Sequence, residues 1–317
     1  MSRLTRTLGA ALAIALIVTG CATQTHQLST GATDLPSRVE LADTPFFAQD
    51  QHQCGPASLA TALSAAGYSA DPRQLEAQVF VPALAGSLQA DMLAGARRQG
   101  ALALLVTGSL STLFAEVAHG TPVIVLQNLG LSIAPRWHYA VVVGFDLRRR
   151  EVVLRSGLNR REVMAMSTFE HTWARSNYWG MLIPRSGQFP RSADRTEVEK
   201  TLVQLEKYAD PTAMLSWYQQ AAERWPESLV FLIGLGQLAY HQGQLQDAER
   251  AFRQATDRHP QSAAAVNNLA IVLQRLGRLD EALAYADKAV ALGGPWQAAA
   301  QATRDDIRRN RRTGASQ

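Results

Sequence analysis

Of the two cysteines in this 317-residue chain, Cys54 is the one placed to act as a nucleophile, in the run Gln49 to Leu63. Gly55 and Pro56 follow it, then an Ala/Leu-rich stretch, which predicts a helix beginning at the cysteine. A thiol at a helix start meets the partial positive charge of unpaired backbone N–H groups. That charge favours thiolate and predicts a lowered pKa. A nucleophile also needs a base, and its tetrahedral intermediate needs hydrogen-bond donors. His138 is the candidate base, because it heads the apolar strand Tyr139 to Val143, where a rigid element can hold an imidazole at a cleft edge. Gln49 stands five residues before the thiol, near enough for its amide to fold back beside the sulfur, with the Cys54 backbone N–H as second donor. His26, His119, His171, His241 and His259 fall on a tether, helices or repeats, and His52 sits on an unconstrained loop before the thiol.

The other cysteine, Cys21, closes a targeting segment. Arg3 and Arg6 form a positive start, Leu8 to Val18 an apolar run, and Val18-Thr19-Gly20-Cys21 reads as a lipobox. The apolar run is shorter than the about 18 to 20 residues needed to span a bilayer. The reading is a signal peptide over 1–20, lipid on Cys21, and attachment in the bacterial cell envelope. Ala22 and Thr23 follow, with no aspartate to retain the product at the inner membrane, so the outer membrane facing the periplasm is expected. Cys54 is then left without a disulfide partner, either inert or reactive by purpose.

Residues 21–38 read as a lipidated tether, rich in Thr, Gln, Ser and Gly without periodicity. Residues 39–185 read as an α+β domain. An extended Val39–Phe47 precedes the thiol helix, about Gly55 to Ala66. A helix capped by Asp71, another capped by Ser87 over Leu88 to Arg98, and one over Ser111 to Ala118 come next. The strands are Ala101–Val106, Pro122–Leu129, the hairpin 138–146 with 151–157, Arg161–Met166 and Tyr178–Pro184, with a Ser167-capped helix before the last. Trp137 and Tyr139 are expected as wall or core, Trp173 and Trp179 as core. After a linker at 186–195, the stretch 196–310 is helical and repeats at an offset of 34, pairing Leu235 with Leu269, Gly243 with Gly277, Ala248 with Ala282 and Ala255 with Ala289. This resembles tetratricopeptide repeats, two clear over about 228–261 and 262–295 and one degenerate before them, with a capping helix near 296–310. Such repeats imply a concave surface for a protein partner or an extended peptide.

Gln49, the Cys54-Gly55-Pro56 triplet and the strand His138 to Asp146 together resemble the papain-like cysteine peptidases that process bacteriocins and peptide pheromones at double-glycine leaders, and their peptidase-like relatives. The resemblance spans 39–185, and the lipobox with trailing repeats resembles a lipoprotein subgroup. It implies Cys54 as nucleophile, His138 as base, Gln49 as oxyanion donor and Gly55 permitting the close turn into the helix. The family usually carries an Asp-Pro after the second hairpin strand to orient the histidine. Here Arg155-Ser156-Gly157 stands there, so Ser156 takes the orienting place, with Asn159 as the alternative. Asp146, eight strand steps from His138, lies over roughly 20 Å away. The implied activity is hydrolysis of peptide bonds in a peptide or protein substrate. Transfer of the acyl group to another acceptor, or a peptidase-like fold kept as a binding scaffold, are the alternatives. No cofactor or metal is implied, since neither CxxC nor HExxH spacing occurs. A net charge of +4 with scattered basic residues gives no nucleic-acid footprint.

Overall fold

The computed structural model describes residues 22–31, 33–48, 53–106 and 108–314. Cys21, Gln49, His52 and the signal segment lie outside the described residues. The chain divides into two compact units, Met1–Arg185 with Pro190–Ser192, and Ser186–Phe189 with Ala193–Gln317.

The first unit is α+β. It opens with α1 (Thr23–Thr30), where the sequence predicted only a tether. The correction has a specific cause. Glu170, 2% exposed, accepts hydrogen bonds from the backbone N–H of Gln24 and Thr25 and from the Thr25 hydroxyl. A buried carboxylate thus caps the helix from elsewhere in the chain, satisfying N–H groups that α1 cannot pair itself. The Gln24 side chain adds bonds to Gly108 O and from Leu110 N.

β1 (Arg38–Glu40) leads toward the thiol helix α2 (Cys54–Ala65), whose residues 55–63 are all buried. That helix is apolar on every side because it is covered on every side. Leu59 and Leu63 share a core with Leu75 of α3 (Pro72–Val79), Met92 of α4 (Gln89–Arg98), and Ile124, Val141 and Met181 of the sheet. Asp71 caps α3 as expected, accepting from Arg73 N. Ser87 does not cap α4. It belongs to β3 (Gly86–Ser87), paired with β2 (Phe80–Val81), and its hydroxyl is buried without a partner.

The main sheet is antiparallel throughout, in the order β4 (Leu104–Val106), β9 (Gly180–Leu182), β5 (Val123–Asn128), β6 (Trp137–Asp146), β7 (Glu151–Ser156), β8 (Asn159–Ala165). β1 joins β6 over Glu40↔Gly144, beyond the point where β5 ends at Val123↔Val142. A bulge between Val142 and Gly144 marks that handover, and a Cβ on Gly144 would lie 2.6 Å from Val39 O. α5 (Leu110–Ala118) is capped by Ser109, and α6 (Met166–Ala174) starts without the Ser167 cap that was expected.

The second unit is all helical: α7 (Arg195–Leu205), α8 (Pro211–Arg224), α9 (Leu229–His241), α10 (Leu245–Arg258), α11 (Ala263–Arg275), α12 (Leu279–Leu292) and α13 (Gln297–Gly314). The repeat is visible in its caps, since Ser228 accepts from Phe231 N and Ser262 from Ala265 N, at the same offset of 34. Gly243 and Gly277 supply the positive φ of equivalent turns, and Ala248 and Ala282 are fully buried where helices meet. Glu249 and Glu281 each pair with both Arg253 and Arg278, joining α10 to α12. Phe189, within the expected linker, packs edge-on against Trp217 and Trp225 of this unit.

The Glu170 cap gives a test. Glu170→Ala leaves the α1 N–H groups unpaired and should cost about 2 to 3 kcal/mol in urea unfolding, with new protease cleavage within 23–30. Unchanged stability and protection would show that α1 docks by other means.

Candidate active site

Helix α2 presents Cys54 as its first residue, and no side chain caps that end. The N–H groups of Cys54 and Gly55 at that open end favour the thiolate form of the sulfur. Gly55 is required by packing. A Cβ there would come within 2.3 Å of the Ser87 hydroxyl oxygen and 2.7 Å of its Cβ, so only glycine lets the helix start lie against β3.

A third donor comes from β6. Leu126 gives its N–H to Trp179 O on the β9 side at 3.3 Å, so its cross-strand partner Tyr139 turns its own N–H away from β5. The last regular β6–β7 pair is Val141↔Arg155, short of Tyr139. The unclaimed Tyr139 N–H instead favours the thiolate form of Cys54. That N–H belongs to the peptide unit joining His138 to Tyr139, which places the thiol beside the residue predicted to serve it.

The end of β7 supplies the remaining partner. Ser156 Oγ, on a side chain 7% exposed, lies 2.9 Å from His138 Nε2. With Nε2 occupied there, Nδ1 is the ring nitrogen left for a thiol proton. Asn159 faces Ser156 across the β7–β8 turn but is exposed, and the imidazole's side-chain partner is Ser156. Asp146 sits at the opposite end of β6, paired with Arg38 and Glu151. Tyr139 is core, its hydroxyl donating to Ser87 O and its ring packing edge-on to Trp179. Trp173 and Trp179 are buried as expected, whereas Trp137 is exposed.

Electrostatics overturn one expectation. Burial pushes the Cys54 thiol above its ordinary value, even though the Tyr139, Gly55 and Cys54 N–H groups pull the other way. The helix start acts in the predicted direction, but loss of solvent around a sulfur packed on the core outweighs it. Burial likewise holds the His138 imidazole below its ordinary value, with Glu162 raising it and Arg136 lowering it further. Both shifts favour the neutral forms, a thiol at Cys54 and an uncharged imidazole at His138.

Sequence reasoning missed Arg155, which is 3% exposed and donates to the carbonyls of Ala42, Thr44 and Arg160. It ties the segment entering the thiol loop to the strand ends that carry Ser156. Its signal was a lone charge inside the apolar strand Val152 to Ser156. The Tyr139 N–H carries no side-chain signal at all. Among the described residues, no group of His, Cys, Asp and Glu is arranged to hold a metal ion.

Residues 41–181 match the Peptidase_C39 like family, and residues 215–249 and 233–301 match the tetratricopeptide repeat. The chain thus joins a C39-like peptidase domain to tetratricopeptide repeats. Among solved structures, one described as a C39-like peptidase from Bacillus anthracis is 18% identical, with a TM-score of 0.40, covering 47% of this chain and 98% of its own. A mutant of MamA is 24% identical, with a TM-score of 0.28, covering 32% of this chain and 71% of its own. No curated protein is significantly similar in sequence.

The neutral pair fixes a pH signature. Alkylation of Cys54 by a neutral reagent, followed from about pH 5 to about pH 10, should keep rising into the alkaline range instead of levelling near neutrality. Ser156→Asp places a carboxylate against Nε2, raises the imidazole pKa and should speed alkylation at neutral pH about tenfold. Ser156→Ala should slow it by about threefold to tenfold. A flat profile insensitive to both substitutions would rule out coupling between Cys54 and His138.

Proposed function

We propose that this protein is a lipid-anchored cysteine peptidase of the bacterial envelope, hydrolysing peptide bonds at Cys54, with the helical repeats docking a substrate or partner protein. The observation that carries the reading is the 2.9 Å hydrogen bond between His138 Nε2 and Ser156 Oγ, with the neighbouring Tyr139 N–H favouring the thiolate of Cys54. In the proposed cycle His138 Nδ1 takes the thiol proton as sulfur attacks the carbonyl carbon. The oxyanion forms against the Cys54 N–H and the Gln49 amide. His138 then gives the proton to the leaving amine, and water releases the acyl group from sulfur as a carboxylic acid.

The anchor is supported by the Arg3, Arg6, Leu8–Val18 and Val18–Cys21 pattern. Because α1 begins at Thr23, lipid on Cys21 would stand close to the folded unit instead of at the end of a long leash. The site would then work near a membrane surface, with the periplasmic face of the outer membrane as the proposed place.

A second reading, a peptidase-like binding scaffold, is favoured by one observation: Ser156 offers a hydroxyl where a carboxylate would stabilise imidazolium by charge. Labelling with a thiol-directed acyl probe separates the two. Under the peptidase reading, Cys54 labels faster than a free thiol at the same pH. Cys54→Ala abolishes labelling, His138→Ala slows it at least about a hundredfold, and Gln49→Ala about tenfold to a hundredfold. Labelling no faster than a free thiol, and unaffected by His138→Ala, would leave the scaffold. Release of a free carboxylate, as opposed to a new amide or ester, distinguishes hydrolysis from acyl transfer.

A further inference from the structure

The first unit exposes several large apolar side chains, and most stand at the end of the sheet that holds the thiol. Ile133 is 92% exposed and Leu131 65%, both on the loop from β5 to β6. Trp137, 51% exposed, directly precedes His138, and Leu158, 74% exposed, lies in the turn after Ser156. Leu88, 49% exposed, follows Ser87, whose hydroxyl packs at Gly55 and whose carbonyl accepts from Tyr139. Three separate loops thus bring apolar groups to this end of the sheet, where Leu88, Trp137 and Leu158 stand within two residues of Ser87, His138 and Ser156.

The longest of these loops is fixed. Asn128 Oδ1 accepts from the N–H groups of Gly130 and Arg136, each at 2.9 Å. Arg175 donates to the carbonyls of Asn128 and Gly130, and Leu131 bridges Ala134 across the tip. Such a loop cannot fold its isoleucine inward to escape water. Each side chain left out forgoes about 1.5 to 3 kcal/mol of burial. Clustered apolar exposure held rigid around a nucleophile is what a bound substrate would cover.

We propose that Leu88, Leu131, Ile133, Trp137 and Leu158 form the substrate rim of the Cys54 site, selecting an extended peptide with large aliphatic or aromatic side chains near the scissile bond. This rests on the peptidase reading for turnover but not for binding. The test uses the full chain carrying Cys54→Ala, titrated with fluorescent peptides that differ only in Leu and Phe against Ser and Asp at those positions. The apolar peptide should bind at least about thirtyfold tighter, and Ile133→Asp or Leu158→Asp should each weaken it about tenfold. Equal affinity for the two peptides, or apolar binding insensitive to both substitutions, overturns the rim. So does loss of binding to neutral phospholipid vesicles in these variants with peptide affinity intact, which would make the rim a membrane contact. Acyl-probe labelling of the wild type keeps the two failures apart. A labelling protein with no apolar preference loses only the rim, whereas an inert thiol with selective apolar binding loses only the peptidase reading.

Discussion

The first unit depends on one mismatch in strand length, that β6 runs past the end of β7. An antiparallel strand claims its backbone groups alternately on two sides, so a neighbour that stops early leaves donors open on the side it vacates. The Tyr139 N–H is such a donor, and it favours the thiolate form of Cys54. Where β7 stops, the Ser156 hydroxyl comes within reach of the His138 ring. The gap in the sheet and the site are the same feature. Filling it with another strand would remove the open donor and displace the Ser156 hydroxyl from the His138 ring together.

Burial and reactivity pull against each other there. The helix start must be packed tightly enough that only glycine fits at position 55, and that packing is what strips solvent from the thiol and the imidazole. Desolvation raises the thiol and lowers the imidazole, so both neutral forms are favoured. A carboxylate orienter would draw the pair toward thiolate and imidazolium, and Ser156 does not.

The helical unit solves a different problem. Each helix pair has an apolar face that it cannot bury alone, and stacking at a constant offset buries it against the next pair. Fully buried alanines allow the close approach, glycines with positive φ turn the chain, and serine caps repeat with them. The Glu249, Arg253, Arg278 and Glu281 cluster then links neighbouring repeats through charges that stay near the surface, adding order more than stability.

The sequence by itself determined what depends on local pattern: the thiol at a helix start, the strand that carries His138, and the helical repeats. Those features follow from periodicity, turn residues and caps, which act over a few residues. The family resemblance pointed to Ser156 or Asn159 beside His138, and the fold puts the Ser156 hydroxyl 2.9 Å from the ring. Only the tertiary structure decided the rest. α1 is ordered because Glu170, 145 residues after Thr25, caps it, and no local composition could announce that partner. Ser87 is an unpaired hydroxyl at Gly55 and no helix cap, because a distant helix start occupies the place beside it. The direction of the Cys54 pKa turned on how much core surrounds the sulfur. A helix end is written in neighbouring residues, but burial is the sum of everything the folded chain brings to that point.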